Sequence, residues 1–174
     1  MSREVTLIKN DSIVVINLQG AHVTSWKIGG KEQLFMTPGS VFDGESEVYG
    51  GIPIIFPRLG FWGEGKPFHG FARTALWNVL PKDEGKASGD PVDKLSFVLR
   101  SDAVSRAYFD AEFTLTLTVG LGETYLSMDL RVANEGSSSF DFTALFHNYL
   151  RVEDIRKSSL HGLSGASYKD AADG

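Results

Sequence analysis

The chain contains no cysteine. That excludes disulfides, thiolate nucleophiles and zinc sites built on sulfur, and it fits a reducing compartment. Long apolar runs are also missing: stretches such as "IPIIF" at 52–56 fall far short of the ~20 residues needed to span a bilayer. The opening "MSREVTLIKNDSIVVI" scatters charges and has neither an apolar core nor a small-residue cleavage site. No signal peptide and no membrane partner are therefore expected, and a cytoplasmic location is the default. Positive charge is scarce, with 17 Lys and Arg against 22 Asp and Glu and a net charge of -5. Such a chain is repelled by phosphate polymers, so no nucleic-acid partner is expected. Any anion it binds must be met by a local basic group. The four histidines form no His-x-His or His-Glu-x-x-His pair, which argues against a metal site. "GFWGEGKP" at 60–67 has glycines but no helix signal after it, so it is not a nucleotide phosphate loop.

What is present is an ordinary globular mix, 42% hydrophobic and 22% charged, long enough for one cored unit over residues 1–174. The dominant period is two. In "FTLTLTV", Phe113, Leu115, Leu117 and Val119 alternate with Thr114, Thr116 and Thr118, the pattern of a half-buried strand. After "GLGE", the stretch "TYLSMDLRVAN" alternates again, with Leu126, Met128, Leu130 and Val132 on one face, so the two stretches predict a hairpin. "EVTLIKN", "SIVVINL", "HVTSWKI" and "EQLFM" read as short strands earlier in the chain. "TALWNVL" and "KLSFVLR" flank the polar loop "PKDEGKASGDPVD". One helical turn is expected near "SDAVSRAYF", capped by Ser101 or Asp102. Short strands between turn signals predict an all-β protein, an antiparallel β-sandwich or barrel. The end, "LHGLSGASYKDAADG", carries no strand to close a sheet, so it is either a tail or a place where the chain stops before the fold does.

Few residues look like chemistry, and they cluster around one segment. From Gly50 to Arg73 the chain carries six glycines, three prolines and four phenylalanines, together with Arg58, His69 and Arg73. His69 and Arg73 stand four apart in "HGFAR", and Gly70 permits a close backbone approach. They suit anion or hydroxyl recognition at the lip of a cleft, or else a loop whose arginine is solvated or paired to a carboxylate. His147, in "LFHNYLR", lies in a run apolar enough to be buried on both faces. It is either a core histidine bonded to a backbone carbonyl or an imidazole in a pocket floor able to move a proton. His22 alternates toward a polar face and His161 belongs to a loop, and neither points to function. Trp62 is either a sugar-stacking lip or an aromatic plug.

Taken in order, "GAHVTSWKI", "GGIPIIFPRLG", "HGFAR" followed by Trp77, "LGETYLSMDLRVAN", "LFHNYLRVEDI" and "GLSG" resemble the hexose-6-phosphate mutarotases. These glucose-6-phosphate 1-epimerases belong to the larger aldose 1-epimerase, or galactose mutarotase-like, superfamily. The resemblance runs from about Gly20 to Gly165. It implies a twisted supersandwich, a cofactor-free reaction and a monomer acting on a small hexose phosphate or aldose. In that reaction an acid protonates the ring oxygen while a base removes the anomeric hydroxyl proton. By resemblance His147 is the acid, Arg73 contacts the substrate's phosphate and His69 lies near the sugar oxygens.

Three departures qualify it. Tyr49 stands before "GGIP", where the family often has a phosphate-contacting arginine, and Phe68 stands where a glutamine often contacts ligand. A tyrosine cannot supply a guanidinium's paired hydrogen bonds, so Arg58 or Lys66 is expected to take that part. The family's catalytic glutamate and a substrate-binding aspartate fall past Gly174. The sandwich is thus expected to be incomplete at the C-terminus and the chain to lack its base. Glu64, Glu153 and Asp154 are the substitutes to consider. The alternative function is a non-catalytic carbohydrate-binding or interaction module on the same fold.

Overall fold

The computed structural model describes residues 3–81 and 93–167. Most of "PKDEGKASGDPVD" and the last seven residues lie outside them. The described chain is almost entirely β, arranged as an antiparallel sandwich of the galactose mutarotase-like kind.

One sheet is a meander, β1 (Glu4–Lys9), β2 (Ser12–Asn17), β3 (His22–Ile28) and β4 (Lys31–Glu32), each strand paired with the next. The facing sheet is a second meander, β6 (Asn78–Val79), β7 (Asp93–Arg100), β8 (Phe113–Leu121) and β9 (Leu126–Asn134). Between β7 and β8 a short helix, α1 (Ala103–Tyr108), starts at Asp102, whose carboxylate accepts from the Ser105 amide while the Ser105 hydroxyl accepts from the Asp102 amide. Asp102 rather than Ser101 is therefore the cap, and the reciprocal bonds satisfy two donors of an otherwise open helix end.

β1 and β2 pack on β7 and β8. Leu7, Val14 and Ile16 meet Leu95, Phe97, Leu115, Leu117 and Val119 in one core, which Phe56, Phe71 and Trp77 extend. The apolar alternation of β8 is thus fully buried. Its partner β9 keeps Leu126, Met128, Leu130 and Val132 only half-buried.

A third, two-stranded sheet joins β5 (Ile54–Ile55) to β10 (Leu145–Phe146). Two expectations shrink here. "EQLFM" forms β4 and then only isolated bridges, Leu34 to Leu150 and Met36 to Gly50. "TALWNVL" contributes just the two residues of β6. Residues 160–167 form no strand, as their composition indicates. Among the described residues no helix is long and apolar enough to cross a membrane.

Candidate functional site

The chemistry-bearing residues gather where the Gly50–Arg73 segment meets the stretch around β10. Regular pairing spans only two residues on each strand, but backbone bonds extend it. Thr143 donates to Pro57, His147 to Pro53 and Tyr149 to Gly51, at 2.8, 3.0 and 2.9 Å. On its other side the segment takes Val23, through the Ile52 amide, and Phe35, through the Gly51 amide. These backbone bonds go to several different parts of the chain, and few belong to one ladder.

Gly70 explains much of the glycine content. Its φ is +78°, and its α-carbon lies so close to the Phe56 carbonyl that a side chain there would collide with backbone. The approach lets the Phe71 and Ala72 amides donate to that same carbonyl. It also fixes His69, itself at φ +64°, a conformation uncommon outside glycine. Gly60 clamps His69 twice: the His69 amide donates to the Gly60 carbonyl at 3.1 Å, and the Gly60 amide donates to Nδ1 at 2.9 Å. With Nδ1 an acceptor, the proton of the neutral ring sits on Nε2, and His69 offers the site a donor. Burial, then the Arg73 guanidinium and His147, push its pKa below the usual imidazole value, with Glu47 opposing. His69 is therefore neutral near pH 7.

His147 stands across from it, the two ring centroids 6.2 Å apart. Its ring stacks on Tyr149 at 4.8 Å. The expectation of burial on both faces is not met: Ala144 to His147 are half-buried, and Asn148 and Leu150 are exposed. The structure thus makes His147 an accessible ring. Among the described residues its side chain forms no hydrogen bond. The core histidine bonded to a carbonyl is instead His22, which is 1% exposed and lies with Nε2 2.8 Å from the Gly50 oxygen. Past the bulge between Val15 and Ile16, His22 pairs with Asn17 and lies on the face opposite the core residues Ile16 and Val23. That face is not polar and open, because residues 42–51 cover it: the Phe42 ring sits edge-on at 5.5 Å, and Gly50 and Gly51 lie against the imidazole. Burial lowers the pKa of His22 to about 4, the Gly50 bond opposing and Arg73 assisting.

Arg73 is 5% exposed. Its Nη2 lies 2.9 Å from Glu47 Oε2, and its guanidinium sits 5.5 Å from the Tyr49 ring. Tyr49 in turn donates its hydroxyl to the same Glu47 oxygen at 2.7 Å. This bond, more than burial, raises the phenol's pKa. Arg73 is therefore not solvated but paired to a carboxylate, that of Glu47. No motif marks Glu47 in the sequence. Its one local signal is its position two before Tyr49, which puts both side chains on one side of an extended stretch entering "GGIP".

The other candidates lie apart. Arg58 is half-buried, and among the described residues no ion pair or ring contact joins it to the cluster. Lys66 lies over the Trp62 ring at 4.5 Å, and the Trp62 indole donates to the Pro67 carbonyl at 2.6 Å. Trp62 is half-buried and packs in part against the core. Glu64 and Glu153 are exposed. Asp154 caps the 3-10 turn Ile155–Lys157 and pairs with Arg156 at 2.9 Å. His161 is exposed in its loop, bonded to the Ser159 hydroxyl. No group of three or more metal-ligating side chains exists among the described residues.

Comparison with known proteins places the chain. A family model described as aldose 1-epimerase matches residues 3–172. A protein of Escherichia coli (strain K12) named "Putative glucose-6-phosphate 1-epimerase" is 34% identical over 148 residues, 84% of this chain and 47% of that protein. One of the same name from Cenchrus ciliaris is 32% identical over 161 residues, covering 89% and 48%. Among solved structures, a "putative mutarotase" from Salmonella typhimurium superposes with a TM-score of 0.74 at 30% identity, covering 87% of this chain and 49% of that one. The Slr1438 protein from Synechocystis sp. PCC 6803 gives 0.73 at 26%, covering 84% and 54%. The chain spans about half the length of the curated relatives it matches. It belongs to the aldose 1-epimerase family.

Proposed function

We propose that the chain carries the acid side of a mutarotase site, interconverting the α and β anomers of an aldose. Glucose 6-phosphate, the sugar in the names of the relatives, is the first substrate to try. The observation that supports this most is the pairing of two unlike imidazoles across an accessible face, His69 locked as an Nε2 donor and His147 free of hydrogen bonds. His147, as the imidazolium, gives its proton to the ring oxygen as the C1–O5 bond breaks. A base takes the anomeric hydroxyl proton, and the C1–O1 bond becomes a carbonyl. Rotation about C1–C2 and closure with the proton transfers reversed give the other anomer. His69 binds a sugar oxygen while this happens. The chemistry needs only a matched acid and base.

A non-catalytic carbohydrate-binding role is the second reading. It is favoured by one observation: among the described residues no carboxylate bonds to His147.

The test is NMR exchange between the α and β anomeric signals, with protein expressed from the complete reading frame. Acceleration is expected, and His147→Ala should remove ~10²–10⁴-fold of it, the usual contribution of a general acid or base. Full-frame protein that binds glucose yet leaves exchange at the spontaneous rate would sink the enzyme reading in favour of the binding one.

A further inference from the structure

We infer that Glu47 is a built-in counter-ion for Arg73, which turns the site away from phosphorylated sugars and toward a neutral aldose. The inference rests on the sugar-site reading above and names its substrate class.

A guanidinium recognises phosphate when its N–H groups point into a space the anion can enter. Here Arg73 is almost wholly buried, and Glu47, with 31% of its side chain exposed, stands against it. The pair is close at 2.9 Å yet poorly aligned, so Nη2 and Nε are left without a hydrogen-bond partner. Glu47 is held from two sides. Tyr49 donates to the carboxylate oxygen that faces Arg73. Upstream, the Asp43 carboxylate accepts from the Glu45 and Ser46 amides and the Ser46 hydroxyl at 2.8, 2.6 and 2.6 Å, and the Gly44 amide donates to Gln19. The bonds from Ser46 and Glu45 lower the pKa of Asp43 to about 2, and together with the Gly44 bond they fix the turn that presents Glu47.

A phosphate approaching Arg73 must expel a tethered carboxylate, whose effective concentration is high, or lie beside it as a like charge. The net charge of -5 supplies no compensating field. A sugar hydroxyl meets no such conflict, because it can donate to the carboxylate and accept from the guanidinium. Glu47, Arg73 and Tyr49 together therefore suit an uncharged, hydroxyl-bearing sugar end.

The probe is inorganic phosphate, titrated at constant ionic strength against the protein and followed by NMR of the Arg73 side chain. Glu47→Gln should tighten phosphate binding by roughly ten- to a hundredfold, the span of a hydrogen bond to a charged group. Adding Arg73→Ala should abolish the gain. Tyr49→Phe, which removes the clamp but no charge, should give a smaller gain and decides the matter if Glu47→Gln does not fold. Wild-type binding as tight as that of Glu47→Gln, no gain in either variant, or a gain that survives Arg73→Ala would each overturn the inference. The titration needs no catalysis, so it stands apart from the mutarotase test. Anomer exchange that favours glucose 6-phosphate over glucose through Arg73 would overturn this inference while leaving that function intact.

Discussion

Residues 113–134 and residues 50–73 are of similar length and pack on the same core, yet they are built on opposite plans. The first is a hairpin in which each residue of β8 faces one of β9, from Phe113 opposite Asn134 to Leu121 opposite Leu126. Its bonds repeat, its side chains alternate, and it carries none of the candidate chemistry. The second has only Ile54 and Ile55 in a ladder, and its other backbone bonds run to Val23, Phe35 and the 143–149 stretch or close turns within the segment. It carries His69 and Arg73. Repetition gives stability from local pairs but offers only two side-chain directions. Irregular backbone, each group satisfied by a different partner, can aim side chains in directions a strand does not allow. Its tolerance for change should be correspondingly poor.

The sharpest way to break this contrast is to compare the smallest substitution in one region with a large one in the other. Gly70→Ala adds a single methyl group but forces it against the Phe56 carbonyl at a positive φ. Strain and overpacking together should cost ~2–6 kcal/mol. Leu117→Ala in the fully buried face of the hairpin should cost ~2–5 kcal/mol. Urea unfolding of both variants checks this. A Gly70→Ala cost well under 1 kcal/mol would mean that the 50–73 segment adapts freely.

The next effect concerns pH. His22 binds its proton near 6.5 when unfolded but only near 4 when folded. Between these values the unfolded chain holds the proton and the folded one does not. Stability is thus complete above pH 6.5 and falls as pH drops through 4, by about 3 kcal/mol in all. His22→Gln, which cannot ionise, should flatten the pH dependence of the urea midpoint in that window. An unchanged slope would show that other groups carry it. The smallest effect should come from Thr116→Val on the half-exposed face of β8. A change within about 0.5 kcal/mol is expected, and a loss above 1 kcal/mol would blur the distinction between the two faces.

The same contrast decides what can be read from the sequence. The alternation at Phe113–Val119 and at Leu126–Val132 marks a strand by itself, because period two is a local property, and the Asp102 cap is equally local. "HGFAR" and "LFHNYLR" mark His69 and His147 as residues of interest, and the structure brings their rings together. The hold of Glu47 on Arg73 is not legible, since it depends on a tertiary approach between two irregular segments. The burial of His22 is not legible for a related reason: residues 42–51, distant in sequence, cover its face, and nothing in "GAHVTSW" announces them. Lys66 likewise reads as a free cation until its position over Trp62 is known.

The β5–β10 pairing has one further consequence. It joins Leu145 to Ile55, about ninety positions apart in sequence, whereas the turn of the hairpin joins residues only five apart. For a flexible chain, closing the longer loop costs about 2.5 kcal/mol more in entropy. The ladder of two residues on each strand, with the single bonds from Thr143, His147 and Tyr149, has to offset this. The seam beside His69 and His147 therefore depends on few contacts set against a long loop. If the proposed site is right, a sugar bound between the two rings would act there as a removable cross-link, and substrate and fold would stabilise each other at the same seam.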